Sequence, residues 1–109
     1  MVKYSQSLDR TFRALADPTR RAVLERLATG PAPLGALIEG HDITLAGMLK
    51  HVRVLEEANL IRTVKHGRTR IVEMKPQSFA TAARFVEGCQ NRWNKRFDSL
   101  ADYLTGEDR

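Results

Sequence analysis

The chain contains a single cysteine, Cys89. One cysteine excludes an internal disulfide and any CxxC metal or redox motif, and it fits a reducing cytoplasm. Long hydrophobic runs are also missing. No stretch approaches the roughly 18 apolar residues a membrane helix needs. The opening M-V-K-Y-S-Q-S has no apolar signal core. These absences predict a cytoplasmic protein with no membrane partner. There is no nucleophile–base–acid set, phosphate loop or paired-carboxylate motif, so nothing in the spacing supports an enzyme. The three histidines, His41, His51 and His66, fall on different elements. With Cys89 they do not supply the three or four converging ligands a transition metal requires, and no metal or other cofactor is expected.

What is present bounds the class. A chain of 109 residues is expected to form one domain, 1–109, with a modest core that gains stability by dimerising. Hydrophobic residues make up 42% and charged residues 28%, which favours a folded chain over disorder. The net charge of +5 implies attraction to polyanions. Where the charges sit has to decide which polyanion.

Apolar periodicity places the elements. Ser7–Ala16 reads as a helix with Leu8, Phe12 and Leu15 on one face, ending before Pro18. Asp17-Pro18 opens a second helix, with Asp17 as cap and Pro18 at the first helical position. Val23, Leu24 and Leu27 form its stripe, and Gly30-Pro31 its stop. Pro33–Glu39 reads as a third, short helix. After a turn at Gly40–Asp42, a fourth helix runs from about Thr44 to Ala58. Two helices joined by a tight glycine-containing turn make a helix-turn-helix, here about 34–58. Ile61–Val64 and Thr69–Met74 are β-branched, and Gly67 between them supplies the positive φ of a tight hairpin. This hairpin, about 61–74, is a two-stranded wing. Pro76 starts a last helix to about Leu104, in which Ala82, Val86, Cys89, Trp93, Phe97, Leu100 and Leu104 draw one apolar seam. The fold class is therefore mainly α with a small β-hairpin wing: a winged helix-turn-helix with an extra helix at each end.

The charges cluster on that frame. Met48, Val52 and Leu55 of the fourth helix point one way and are core candidates. Ala46, Gly47, Lys50 and Arg53 lie on the opposite arc, with Thr44 at its edge. Small residues there let a helix approach a groove floor, and Lys50 and Arg53 reach phosphates or guanine edges. Lys65, His66, Arg68 and Arg70 make the hairpin tip basic, suited to phosphate or minor-groove contact. Double-stranded DNA is the partner this placement indicates. Arg20 and Arg21, early in the second helix, are candidates for further phosphate contacts. His51 is expected at the edge of the recognition helix.

The chain resembles the ArsR-type family of bacterial winged-helix transcriptional regulators. The likeness rests on F-R-A-L-A-D-P-T-R-R-A-V-L-E-R-L at Phe12–Leu27, L-K-H-V-R-V-L-E-E-A-N-L-I at Leu49–Ile61 and G-R-T-R-I-V at Gly67–Val72. The ending W-x-x-x-F-D-x-L-A-D-Y-L at Trp93–Leu104 is similar to a subgroup without metal-sensing motifs. The resemblance implies a homodimer, joined through the first and last helices, that represses a promoter near its own gene. It implies DNA contacts from Thr44, Leu45, Ala46, Leu49, Lys50, His51, Arg53, Lys65, Arg68 and Arg70. It implies a dimer interface of Leu8, Phe12, Val86, Cys89, Trp93, Phe97, Leu100 and Leu104, with Cys89 a small buried residue of the seam. Metal sites of the family use a cysteine motif on the third helix or Asp and His pairs on the last. Here P-A-P-L-G-A-L-I-E-G has no cysteine, and 76–104 has no histidine.

One departure concerns readout. The family's recognition helix usually starts with Ser-Gln and carries a Ser just before the Lys-His pair. Here those positions are Thr44, Leu45 and Leu49. The two leucines could contact thymine methyl groups. They could instead pack inward, leaving specificity to Lys50, the wing and DNA shape. DNA binding could also be weak or lost. Two other functions compete: a metal- or thiol-responsive sensor, and a protein-interaction module on a winged-helix scaffold.

Overall fold

A computed structural model describes residues 2–106, with side chains from residue 6 onward. The helices are α1 (Val2–Leu15), α2 (Pro18–Leu27), α3 (Leu45–Glu57) and α4 (Ala80–Thr105). The strands are β1 (Ala32–Pro33), β2 (Ile61–His66) and β3 (Thr69–Met74), and 3₁₀ turns cover Leu34–Leu37 and Pro76–Phe79. The chain divides after Phe79 into two compact units.

In the first unit, each helix boundary has a local cause. Asp17 caps α2 by accepting from the Arg20 amide at 3.1 Å, with Pro18 behind it. Thr44 caps α3 by accepting from the Gly47 amide at 3.0 Å. The other end of α3 closes with a Schellman arrangement. Asn59 takes φ 64°, its amide bonds Glu56 O, and the Leu60 amide bonds Leu55 O at 3.0 Å. Leu55 and Leu60 are both fully buried, the apolar contact that accompanies this motif.

The core gathers Val23, Leu24 and Leu27 of α2, Met48, Val52 and Leu55 of α3, and Val72 of β3. Truncating such a residue, for example Leu55→Ala, costs about 2–5 kcal/mol. From α1 the buried side chains are Thr11 and Ala14, while Leu8 is half-buried and Phe12 is 37% exposed. The face of α1 that meets the core thus carries Thr11 and Ala14, with Leu15 packed against it at the helix end. The helix also begins earlier than Ser7.

One expectation needs correction and another needs extension. Pro33–Glu39 is not a third helix. Pro31, Pro33 and Gly35 resist α geometry, and only a 3₁₀ turn at Leu34–Leu37 forms. The expected wing hairpin forms from β2 and β3, but it is not the whole sheet. Ala32 and Pro33 pair with Val72 and Ile71, making a three-stranded antiparallel sheet in the order β1-β3-β2. Pro33 is tolerated because β1 is an edge strand.

The β2–β3 hairpin pairs His66 with Thr69, leaving Gly67-Arg68 as a two-residue loop. Gly67 has φ 61° and Arg68 a negative φ, the signature of a type II′ turn. Gly67 is fixed by that requirement.

The second unit is α4, 26 residues long and about 40 Å from end to end. Val86, Trp93, Phe97, Leu100 and Leu104 are exposed along it, Trp93 at 67%. Within a single chain Cys89 is exposed too. The seam exists, but a single chain does not cover it. No helix among the described residues is long and apolar enough to cross a membrane.

Candidate nucleic-acid interface

α3 and the hairpin supply the site. Burying Met48, Val52 and Leu55 forces the opposite arc of α3 outward. Ala46, Lys50 and Arg53 are exposed on it, while Leu45, the first residue of the helix, lies nearer the core side in projection and is 52% exposed because no turn precedes it. Leu49 lies on the flank nearer the sheet and is half-buried. The two leucines therefore separate: Leu45 faces solvent, and Leu49 lines a depression.

Gly47 does not belong to the groove-facing arc. A methyl group there would lie 2.9 Å from Ile43 Cγ1 and 3.3 Å from Thr44 Oγ1. Its smallness makes room for Ile43, which packs on the core ahead of the Thr44 cap.

The strand register determines which wing side chains turn toward α3. Directly opposed residues share a face, so Ile61, Thr63 and Lys65 stand with Met74, Val72 and Arg70. That face carries buried Ile61 and Val72 at one end and Lys65 and Arg70 at the other. The reverse face carries the Arg62–Glu73 ion pair. Lys65 and Arg70 are like charges directly across the ladder, which is unfavourable unless an anion lies between them.

Two depressions join helix and wing. One, of about 260 Å³, is lined by Leu49, Val52, Arg53 and Glu56 of α3, Thr63, Lys65 and Arg70 of the strands, and Leu34. Thr63 Oγ1 donates to Glu56 at 2.7 Å across it. The other, of about 360 Å³, is lined by Leu45, Pro33, Leu34, Gly35, Arg68, Thr69 and Arg70. The structure thus brings Leu45, Leu49, Arg53, Lys65, Arg68 and Arg70 together. Lys50 and Ala46 continue the exposed arc of the same helix. The sequence reading missed the contribution of 33–35, because β1 is two residues long and its partner lies some forty positions away.

His51 is placed elsewhere. It is half-buried, with Nδ1 3.2 Å from Arg20 Nη1 and 3.8 Å from Asp17 Oδ2. Arginine can only donate, so Nδ1 accepts and the proton of the neutral ring is on Nε2. Arg20 also donates to Ala14 O at 2.8 Å and to Arg13 O at 2.9 Å. Arg21 donates to Leu15 O at 2.7 Å. The D-P-T-R-R segment is therefore a clasp. It closes the end of α1, starts α2 and, through Arg20 and His51, holds the flank of α3. Arg20 is committed to that role and is not a free phosphate ligand. The Asp17 carboxyl is held below its ordinary pKa, chiefly by the Arg20 amide and further by the Arg20 charge and, when its ring is protonated, by His51.

Thr44 Oγ1 is occupied by its cap, although the residue is exposed. Among the described residues, no group of three or more His, Cys, Asp and Glu is arranged to hold a metal ion.

A capped helix presenting a basic arc beside a basic hairpin defines a winged helix-turn-helix DNA-binding protein. A helix-turn-helix domain model matches residues 15–64. The HTH-type transcriptional regulator Rv2034 of Mycobacterium tuberculosis is 37% identical over 102 residues, 94% of this chain and 92% of its own length. A crystal structure of an ArsR family transcriptional regulator, RHA00566, superposes with a TM-score of 0.77 at 39% identity, covering 83% of this chain and 93% of that one. The fold is shared as well by a homodimeric winged helix-turn-helix DNA-binding domain from Mycobacterium bovis, Mb0332, studied in solution. That match has a TM-score of 0.67 at 17% identity and covers 83% and 85% of the two chains. The chain belongs to the ArsR family of helix-turn-helix transcriptional regulators.

Proposed function

We propose that this regulator is a homodimeric repressor and that the whole chain, 1–109, is one functional domain. Each protomer lays the exposed arc of α3 into a major groove and rests its wing on the adjacent backbone. A two-fold dimer then reads half-sites about one helical turn, or a multiple of it, apart. Lys50 and Arg53 are the polar groups of the groove face. Lys65, Arg68 and Arg70 grip phosphates, with Lys65 and Arg70 sharing one across the ladder. Leu45, Ala46 and Leu49 provide the close apolar surface. His51 and Thr44 act by positioning α3, one through the clasp and one through the cap. The observation that carries this reading is the convergence of α3 and wing cations around the two depressions, with only Glu56 as a carboxylate among their lining residues.

The dimer reading rests on α4 and α1. An exposed file of Val86, Cys89, Trp93, Phe97, Leu100 and Leu104 over some 40 Å is a surface that a second copy would cover. Leu8 and Phe12 of α1 are separate candidates for the same role. The homodimeric Mb0332 domain supports the same assembly. Repression follows from occupancy: a dimer bound across a promoter excludes polymerase from it.

Selection from random duplex DNA tests the proposal. It should recover a roughly palindromic sequence bound by two chains. Recovery of no sequence above background by a folded protein would refute it.

A further inference from the structure

We propose that Leu45 is a specificity-determining residue that reads a pyrimidine 5-methyl group in the major groove. This rests on the DNA-binding reading above. Among the described residues, Leu45 is the only exposed large apolar side chain outside α1 and α4. It is the first residue of α3, at the end of the helix that a groove-entering helix presents to base edges. The rest of that turn is poor in polar readers. Ala46 and Gly47 have no side-chain donor or acceptor, and Thr44 Oγ1, held in place by accepting from the Gly47 amide, has only its O–H left to donate.

The surroundings are built for an apolar contact held close to a polyanion. Leu45 borders the depression walled by Pro33, Leu34 and Gly35, while Arg68 and Arg70 stand on its rim. The arginines suit the phosphates beside the base, and the apolar wall suits what projects from the base itself. In the major groove the apolar mark is the C5-methyl of thymine, which 5-methylcytosine also carries. Leu34 and Pro33 reach this position only because β1 pairs with β3, so the 3₁₀ segment completes the reader.

The test uses the full-length protein and the duplex recovered by selection from random DNA. Each thymine is replaced in turn by uracil, which removes only the methyl. Each cytosine is replaced in turn by 5-methylcytosine, which adds one. The wild type should lose about fourfold in affinity per half-site at one thymine, the value of one buried methyl. Leu45→Ala should bind the thymine duplex more weakly by a similar factor and be indifferent to uracil there. Gain at a methylated cytosine in place of that loss would identify 5-methylcytosine as the base read. A wild type indifferent to every methyl would overturn the proposal, and so would a Leu45→Ala chain that keeps the full uracil effect. Either result leaves DNA binding standing. Failure to recover any sequence overturns the DNA-binding reading and this one with it. The uracil series on the wild type needs no variant to fold.

Discussion

Replacing Arg20 by alanine should destabilise the protein far more than replacing its neighbour Arg21, although both are arginines near the start of α2. The Arg20 guanidinium makes three hydrogen bonds: to Ala14 O at 2.8 Å, Arg13 O at 2.9 Å and His51 Nδ1 at 3.2 Å. The first and third are part-buried, and the second is exposed, so water replaces it at small cost. Hydrogen bonds to a charged group contribute roughly 1.5–3 kcal/mol each, so the two sheltered ones place Arg20→Ala at about 3 kcal/mol or more. At about 4 °C per kcal/mol for a chain of this size, the midpoint should fall by roughly 12 °C. Arg21 has one exposed bond, to Leu15 O, and Arg21→Ala should shift the midpoint by less than about 3 °C. Thermal unfolding followed by circular dichroism at fixed protein concentration makes the comparison, since a dimer's midpoint depends on concentration. Equal shifts for the two variants would refute the clasp.

Other consequences follow from the same geometry. Thr44→Ala removes the α3 cap and should cost about 1 kcal/mol, read by denaturant unfolding, with Thr44→Ser close to wild type. Asp17 titrates below its ordinary value of 3.8 in the folded chain, so it stabilises the fold above that value. That contribution is lost as pH falls through the lowered pKa, and Asp17→Asn should flatten the acid limb of stability below about pH 4. Arg68→Ala should weaken binding to all duplexes alike and lower the slope of log affinity against log salt by about one, measured by fluorescence anisotropy. Trp93→Glu should convert the proposed dimer to monomer in sedimentation. Alkylation of Cys89 should then become faster than in the wild type, whose seam the partner covers. Equal alkylation rates in a dimeric wild type and the monomeric variant would remove Cys89 from the interface.

Much of this was legible in the chain, and the reason is locality. Asp17-Pro18 marks the start of α2 because a cap and a proline act on adjacent residues. Gly67 marks the hairpin because a two-residue turn demands one positive φ. The spacing of Met48, Val52 and Leu55 orients α3 because period 3.6 is a property of the helix itself. What the sequence concealed was non-local. Pairing of β1 with β3 joins residues about forty apart, and two strand residues carry no periodicity. The third helix was misread because its apolar spacing suits a helix, while its prolines and glycine limit it to a 3₁₀ turn. Arg20 looked like a phosphate ligand, since composition does not reveal that the end of α1 and His51 absorb its donors. The split between Leu45 and Leu49 needed the wing in place: the two lie close around the helix, and only the sheet distinguishes the covered one.

The central claim is that the exposed arc of α3 carries sequence recognition. Lys50→Ala combined with Arg53→Ala tests it most directly, by anisotropy on the selected duplex and on a scrambled one at a single salt concentration. The wild type should prefer the selected duplex by about 10³-fold or more. The double variant, dimeric and with unchanged helix content, should lose most of that preference and keep no more than about tenfold, the part that the Leu45 contacts of two half-sites supply. A folded, dimeric double variant that keeps the wild-type ratio would contradict the account.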